Sequence, residues 1–211
     1  MGHKYGDSKQ FYDAVAMMDT QLGRLFEAIA FRQQKFQEDW EIYITTDHGR
    51  DAKTGRNHGG QSERERTTWI VTNAQDVNPW FIRHPPGIVD IMPSLAGHLG
   101  IIIPREEAME IDGIPLTGKL SAVEPQAVFE NGQITVRWKA LQKTGMAKIW
   151  LATSNHFKTG GRDDYKLVKT VALSKEETVV DVRDRPSSIY KIVIETPSNW
   201  LNRWVLLKTN H

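Results

Sequence analysis

Asp47, His48 and His58 stand in the stretch ITTDHGRDAKTGRNHGGQSERER, residues 44–66, the second His-Gly following the first by ten residues. Imidazole nitrogens and a carboxylate are donors for a divalent ion, Zn²⁺ first, with Mn²⁺ or Fe²⁺ as alternatives. Neighbouring Asp47 and His48 can turn toward one crevice where the backbone is irregular, which Gly49 permits. An Asp-His pair in a loop is by itself more often a turn with an exposed imidazole. The second His-Gly, with an apolar run before the loop and another after it, favours a metal site. Arg64 and Arg66 in SERER are candidates for neutralising an anionic substrate, although charge runs usually face solvent. Thr45 and Thr46, β-branched and next to the ligands, read as packing residues. His84 and His98 show no ligand spacing, and His98, in an apolar helix, reads as a hydrogen-bonded core residue.

Strands must place that loop. WEIYITT (40–46) and TTWIVTN (67–73) are short, β-branched and aromatic, and read as buried strands flanking it. Phe11, Val15, Met18, Leu22, Leu25, Phe26 and Ile29 keep the three-and-four spacing of one helical face over residues 8–32. DIMPSLAGHLGIIIP predicts a helix closed by Gly100, then an extended run stopped at Pro104. Helices alternating with apolar strands imply an α/β layer architecture, in which ligands bind beyond the carboxyl ends of strands.

After residue 118 the pattern changes. GQITVRWKA, AKIWLAT, YKLVKTV, ETVVDVR, YKIVIET and RWVLLKT alternate apolar and polar positions between turn residues, which predicts an all-β sandwich over 119–211. DGIPLTGKLSAVEP reads as the linker. Trp138, Trp150, Trp200 and Trp204 read as core by default, with Trp200 the candidate for an exposed ring after the loop sequence TPSN.

Composition excludes several classes. A net charge of +1 gives no bulk attraction to nucleic acid, and the absence of cysteine removes disulfides, thiolate sites and a thiol nucleophile. No apolar run is long enough for a membrane span, and MGHKYGDSKQ lacks a signal-peptide core.

TTDHGRDAKTGRNHGGQSERERTTWIVT resembles the metal-binding segment of the alkaline phosphatase superfamily, which includes nucleotide pyrophosphatases/phosphodiesterases and sulfatases. GHKYGDSKQFYDAVAMMDTQLGRLFEAI resembles the segment where Asp-x-x-Gly-His precedes a helix, with Asp19 and Gly23 matching its signature; VDIMPSLAGHLGIIIP with DGIPL resembles the segment closing the catalytic domain. The resemblance covers residues 2–117 and implies a partial α/β/α domain over 1–118. It implies two metal ions, one on Asp47 and His48, the other on His58 and His3, with a small anionic ester as substrate. An expression-tag remnant is the competing reading of Met1-Gly2-His3.

The family's nucleophile-bearing half has no counterpart, so the resemblance implies the C-terminal portion of a phosphodiesterase-like hydrolase, inactive alone, of periplasmic or extracellular location. The alternative is a non-catalytic protein whose β module binds a protein or glycan partner.

Overall fold

Two short helices and a ribbon surround the His-containing loop. The computed structural model describes residues 1–207, apart from the Lys158 side chain, so the Lys208 and Thr209 end of the last expected strand lies outside the described residues. Helices and antiparallel sheets occur together, and the chain divides into two units, Met1–Gln75 and Asp76–His211. The expected boundary near 118 falls inside the second. Among the described residues no helix is long and apolar enough to cross a membrane.

In the first unit α1 (Gly2–Tyr5) leads into α2 (Lys9–Phe36). Ser8 starts α2 by accepting a hydrogen bond from the Phe11 N–H at 3.3 Å, which satisfies one of the donors a helix start leaves open. β1 (Tyr43–Thr45) and β2 (Ile70–Thr72) pair antiparallel, Tyr43 opposite Thr72, with the one-turn helix α3 (Glu63–Arg66) before β2.

Two expectations need correction here. The helical stripe forms a helix, but only Ile29 on it is buried; Val15, Met18 and Leu25 remain 50%, 58% and 52% exposed. The strands read as buried are half-exposed, with Val71 at 56%. Apolar sequence marks a surface suited to being covered; it does not supply the covering layer.

The second unit begins with α4 (Pro79–Arg83), α5 (Ile91–His98) and α6 (Arg105–Ala108). Gly100, at φ 64°, closes α5 as expected, and the Ile101 N–H returns to the Ala96 carbonyl at 2.8 Å. Buried Asp90 ties this region to the following chain by accepting the N–H groups of Ile114 at 2.7 Å and Gly87 at 2.8 Å. Burial pushes its carboxyl pKa up, against those two hydrogen bonds.

Seven strands follow: β3 (Ala122–Glu130), β4 (Gln133–Ala140), β5 (Met146–Ala152), β6 (Lys166–Ala172), β7 (Glu177–Asp181), β8 (Ile189–Glu195) and β9 (Trp200–Leu206). They form antiparallel sheets ordered β3-β4-β7 and β6-β5-β8-β9. Ile134, Val136 and Trp138 of one sheet share a core with Ile149, Leu151, Ile192 and Ile194 of the other. Trp138 is 4% exposed and its indole N–H donates to the Leu173 carbonyl at 2.8 Å.

β3 begins inside the segment read as linker. Its period is interrupted at Glu124-Pro125, where the register with β4 shifts and Glu124 takes φ 53°. Trp200 opens β9 and is half-buried, whereas Trp204 is 44% exposed, so the core assignment fails for the Trp204 ring. On the face of β8 opposite Ile192, the Lys191 ammonium is 1% exposed and pairs with Asp163 at 2.8 Å and with Glu110.

Candidate functional site

Just past β1 the backbone turns at Asp47, whose Oδ1 accepts the His48 N–H at 2.9 Å. His48 Nδ1 lies 2.7 Å from the Gly49 carbonyl oxygen. A carbonyl can only accept, so Nδ1 carries a proton and Nε2 is the nitrogen left for a further partner. That Nε2 stands 3.3 Å from Asp47 Oδ2. The His58 ring stacks on His48 with centroids 3.9 Å apart and planes 26° apart. His3, from α1, brings its ring centroid within 5.0 Å of that of His58, the planes tilted by 57°. The four residues expected as metal ligands are therefore neighbours.

Close backbone contacts make this convergence feasible. A Cβ on Gly49 would lie 1.8 Å from the Arg64 carbonyl oxygen, so the residue after His48 must lack one for α3 to pack there. The Gly49 N–H uses that approach to donate to the Glu65 carbonyl at 2.8 Å. Gly6, at φ 61°, faces the Thr54 carbonyl oxygen, to which an added Cβ would come within 2.2 Å, so the segment carrying His3 lies against the loop carrying His58.

Sequence reasoning missed Asp51. Its carboxylate accepts backbone N–H groups from Asn57 at 2.8 Å, Thr54 at 2.6 Å and Lys53 at 3.0 Å. The Asn57 bond first, then that of Thr54, holds its pKa well below the usual carboxylate range. The available signal was an Asp followed by Thr and Gly at turn spacing.

The remaining candidates divide. Arg64 is committed to the Asp7 carboxylate at 2.6 Å and donates to the Asp51 carbonyl at 3.1 Å, so it braces the loop. Arg66 is exposed at the end of α3. Thr45 is exposed and donates to the Thr46 carbonyl at 3.1 Å, which corrects its reading as a packing residue. His84 and His98 belong to the second unit, where His84 stacks on Trp80 at 3.9 Å and faces Glu124 at 3.2 Å; His98 is half-buried in α5.

The donor chemistry of Asp47 and His48 fits a metal ion. Two ligand atoms with bonds of about 2.0–2.1 Å to one tetrahedral ion lie about 3.3 Å apart, the spacing of His48 Nε2 and Asp47 Oδ2. A neutral Nε2 lone pair facing a carboxylate at this distance is unfavourable unless a proton or a cation lies between them. His58 faces this pair with its ring plane. Among the described residues no three His, Asp or Glu side chains form a group arranged to hold one ion. No family model, curated protein or solved structure matches the chain.

Proposed function

We propose that this chain is the C-terminal portion of a two-metal phosphoric or sulfuric ester hydrolase, most similar to phosphodiesterases/nucleotide pyrophosphatases of the alkaline phosphatase superfamily. One observation carries the reading: the His58 ring lies within 5.0 Å of both the His48 and His3 rings, with the Asp47 carboxylate beside His48. Two sequence blocks that carry donor side chains meet there, which supports the reading.

Asp47 and His48 would hold one divalent ion and His58 and His3 a second, zinc first, with manganese or iron as alternatives. Bound ions of this kind lower the pKa of a hydroxyl nucleophile and neutralise an ester anion. This chain's residues orient the site. The Gly49 carbonyl holds the His48 ring with Nε2 facing the Asp47 carboxylate, and Arg66 is the guanidinium free of the Asp7 pair for an anionic substrate. No Ser or Thr here is assigned as nucleophile, so the chain alone is expected to be inactive. The uncovered stripe of α2 is what an element of a larger layered domain would present.

The seven strands are read as an accessory sandwich of the fibronectin III or immunoglobulin-like kind. Support comes from the three-plus-four strand order and from Tyr190, whose hydroxyl donates back to the Arg185 carbonyl at 3.0 Å, like a tyrosine corner. A periplasmic or extracellular location goes with this domain pairing. The exposed face of Trp204 favours a second reading, a non-catalytic chain whose sandwich binds a protein or glycan.

Calorimetric titration with Zn²⁺ tests the first reading. The chain should bind zinc, His48→Ala and His58→Ala should weaken binding, and His98→Ala should leave it unchanged. Equal affinity in all three variants would remove the site assignment.

A further inference from the structure

We propose that Asp51 is the positioning residue that brings His58 against His48, an assignment whose functional meaning rests on the metal-site reading above. The two carboxylate oxygens divide the work. Oδ1 accepts the N–H groups of Lys53 and Thr54 at 3.0 and 2.6 Å, which folds the chain back on itself immediately. Oδ2 accepts the N–H of Asn57, the residue before His58, at 2.8 Å. The backbone repeats the connection, with the Asp51 N–H donating to the Asn57 carbonyl at 2.9 Å. Residues 51 and 57 are thus joined at two points, and the loop between them closes like a clasp. His48 lies just outside one end of the clasp and His58 just outside the other, which places the rings within stacking distance.

Few side chains satisfy this pattern. An asparagine has one oxygen; whichever end it serves, the amide N–H₂ faces a backbone N–H donor at the other. A serine has one oxygen with too short a reach. An aspartate presents two acceptors on one short stem, and its charge strengthens each bond. Arg64 anchors the clasp to α3 through the Asp51 carbonyl at 3.1 Å, leaving the carboxylate to the loop.

The test uses the isotopically labelled full chain and two readouts. The first is the nuclear Overhauser contact between the His48 and His58 ring protons in the wild type, Asp51→Asn, Asp51→Ala and the control Lys53→Ala. Methyl signals of Ile29 in α2 and Ile44 in β1, in the same unit as the loop, report that each variant remains folded there. The contact is expected in the wild type and Lys53→Ala and lost in both Asp51 variants. A contact retained at wild-type strength in Asp51→Asn and Asp51→Ala would overturn the proposal. The second readout is Zn²⁺ affinity, which should fall about 10- to 100-fold in Asp51→Asn, as when a group orienting a ligand is removed. If the ring contact is lost while the wild type binds no zinc, Asp51 still positions His58 and the metal reading is what fails.

Discussion

His48 and His58 stack with ring centroids 3.9 Å apart, although nine residues of chain run between them. That contact exists because the loop closes tightly, and the closure depends on backbone approaches that only particular residues allow.

Gly49→Ala should disrupt it. The new Cβ would meet the Arg64 carbonyl oxygen at 1.8 Å, a backbone atom that cannot swing aside, and the Gly49–Glu65 hydrogen bond would be strained with it. Overpacking of this kind costs about 1–3 kcal/mol. Urea denaturation of the variant should show that loss; an unchanged midpoint would mean α3 does not pack on the loop in solution.

Gly23→Ala should act in the opposite direction. Gly23 lies in the interior of α2 with no atom within 4 Å of an added Cβ, so the change gains helix propensity worth about 0.5–1 kcal/mol. A higher melting temperature is the expected result. Destabilisation instead would point to another surface packed on this part of α2.

Lys191→Met removes the cation from a buried cluster and leaves the Glu110 and Asp163 carboxylates facing one another. Breaking a buried pair from one side costs about 3–5 kcal/mol. The same variant with Glu110→Gln and Asp163→Asn should recover much of that loss. Denaturant titration of the single and triple variants decides it, and equal stability of the single variant and wild type would contradict the burial of this ammonium.

Acid should weaken the second unit through Asp163. Burial pushes its carboxyl pKa up, but hydrogen bonds from Lys191, Ser154 and the His156 and Phe157 N–H groups outweigh burial and hold it well below the ordinary value. A depressed folded pKa stabilises above the unfolded value of about 3.9 and is lost as pH falls from there toward the folded pKa. Urea midpoints should therefore fall more steeply below about pH 4 in the wild type than in Asp163→Asn. Parallel profiles would show that this carboxyl is not depressed.

Trp138→Phe should destabilise by about 1–3 kcal/mol, since the Leu173 carbonyl loses the indole donor in the core between the sheets. Thermal unfolding of the variant checks this. A shift within error would place a water or another donor on that carbonyl.

Periodicity carried much of the local structure. The three-and-four stripe produced α2, Gly100 ended α5, and six alternating segments became β4 through β9 within a few residues. β3 escaped because the bulge at Glu124 and Pro125 breaks its period, and the start of β9 at Trp200 lies ahead of the expected RWVLLKT segment because a turn composition runs directly into the strand. At the candidate site the donor types were legible in Asp47, His48, His58 and His3. Asp51, Thr54 and Gly55 gave a turn signal, but the closure onto Asn57 was not legible, because a carboxylate bound to a backbone N–H six residues on leaves no residue-type signature in that partner.

Sequence by itself therefore determined which residues carry donor groups and, where the period is unbroken, which segments would be helix or strand, since donor chemistry and period are properties of residue order. Tertiary structure alone decided which of them meet. It brought His3 to His58, diverted Arg64 to Asp7 and buried Lys191 between two acids. Such contacts join residues far apart in the chain, and they depend on backbone approach and burial, which no local spacing encodes.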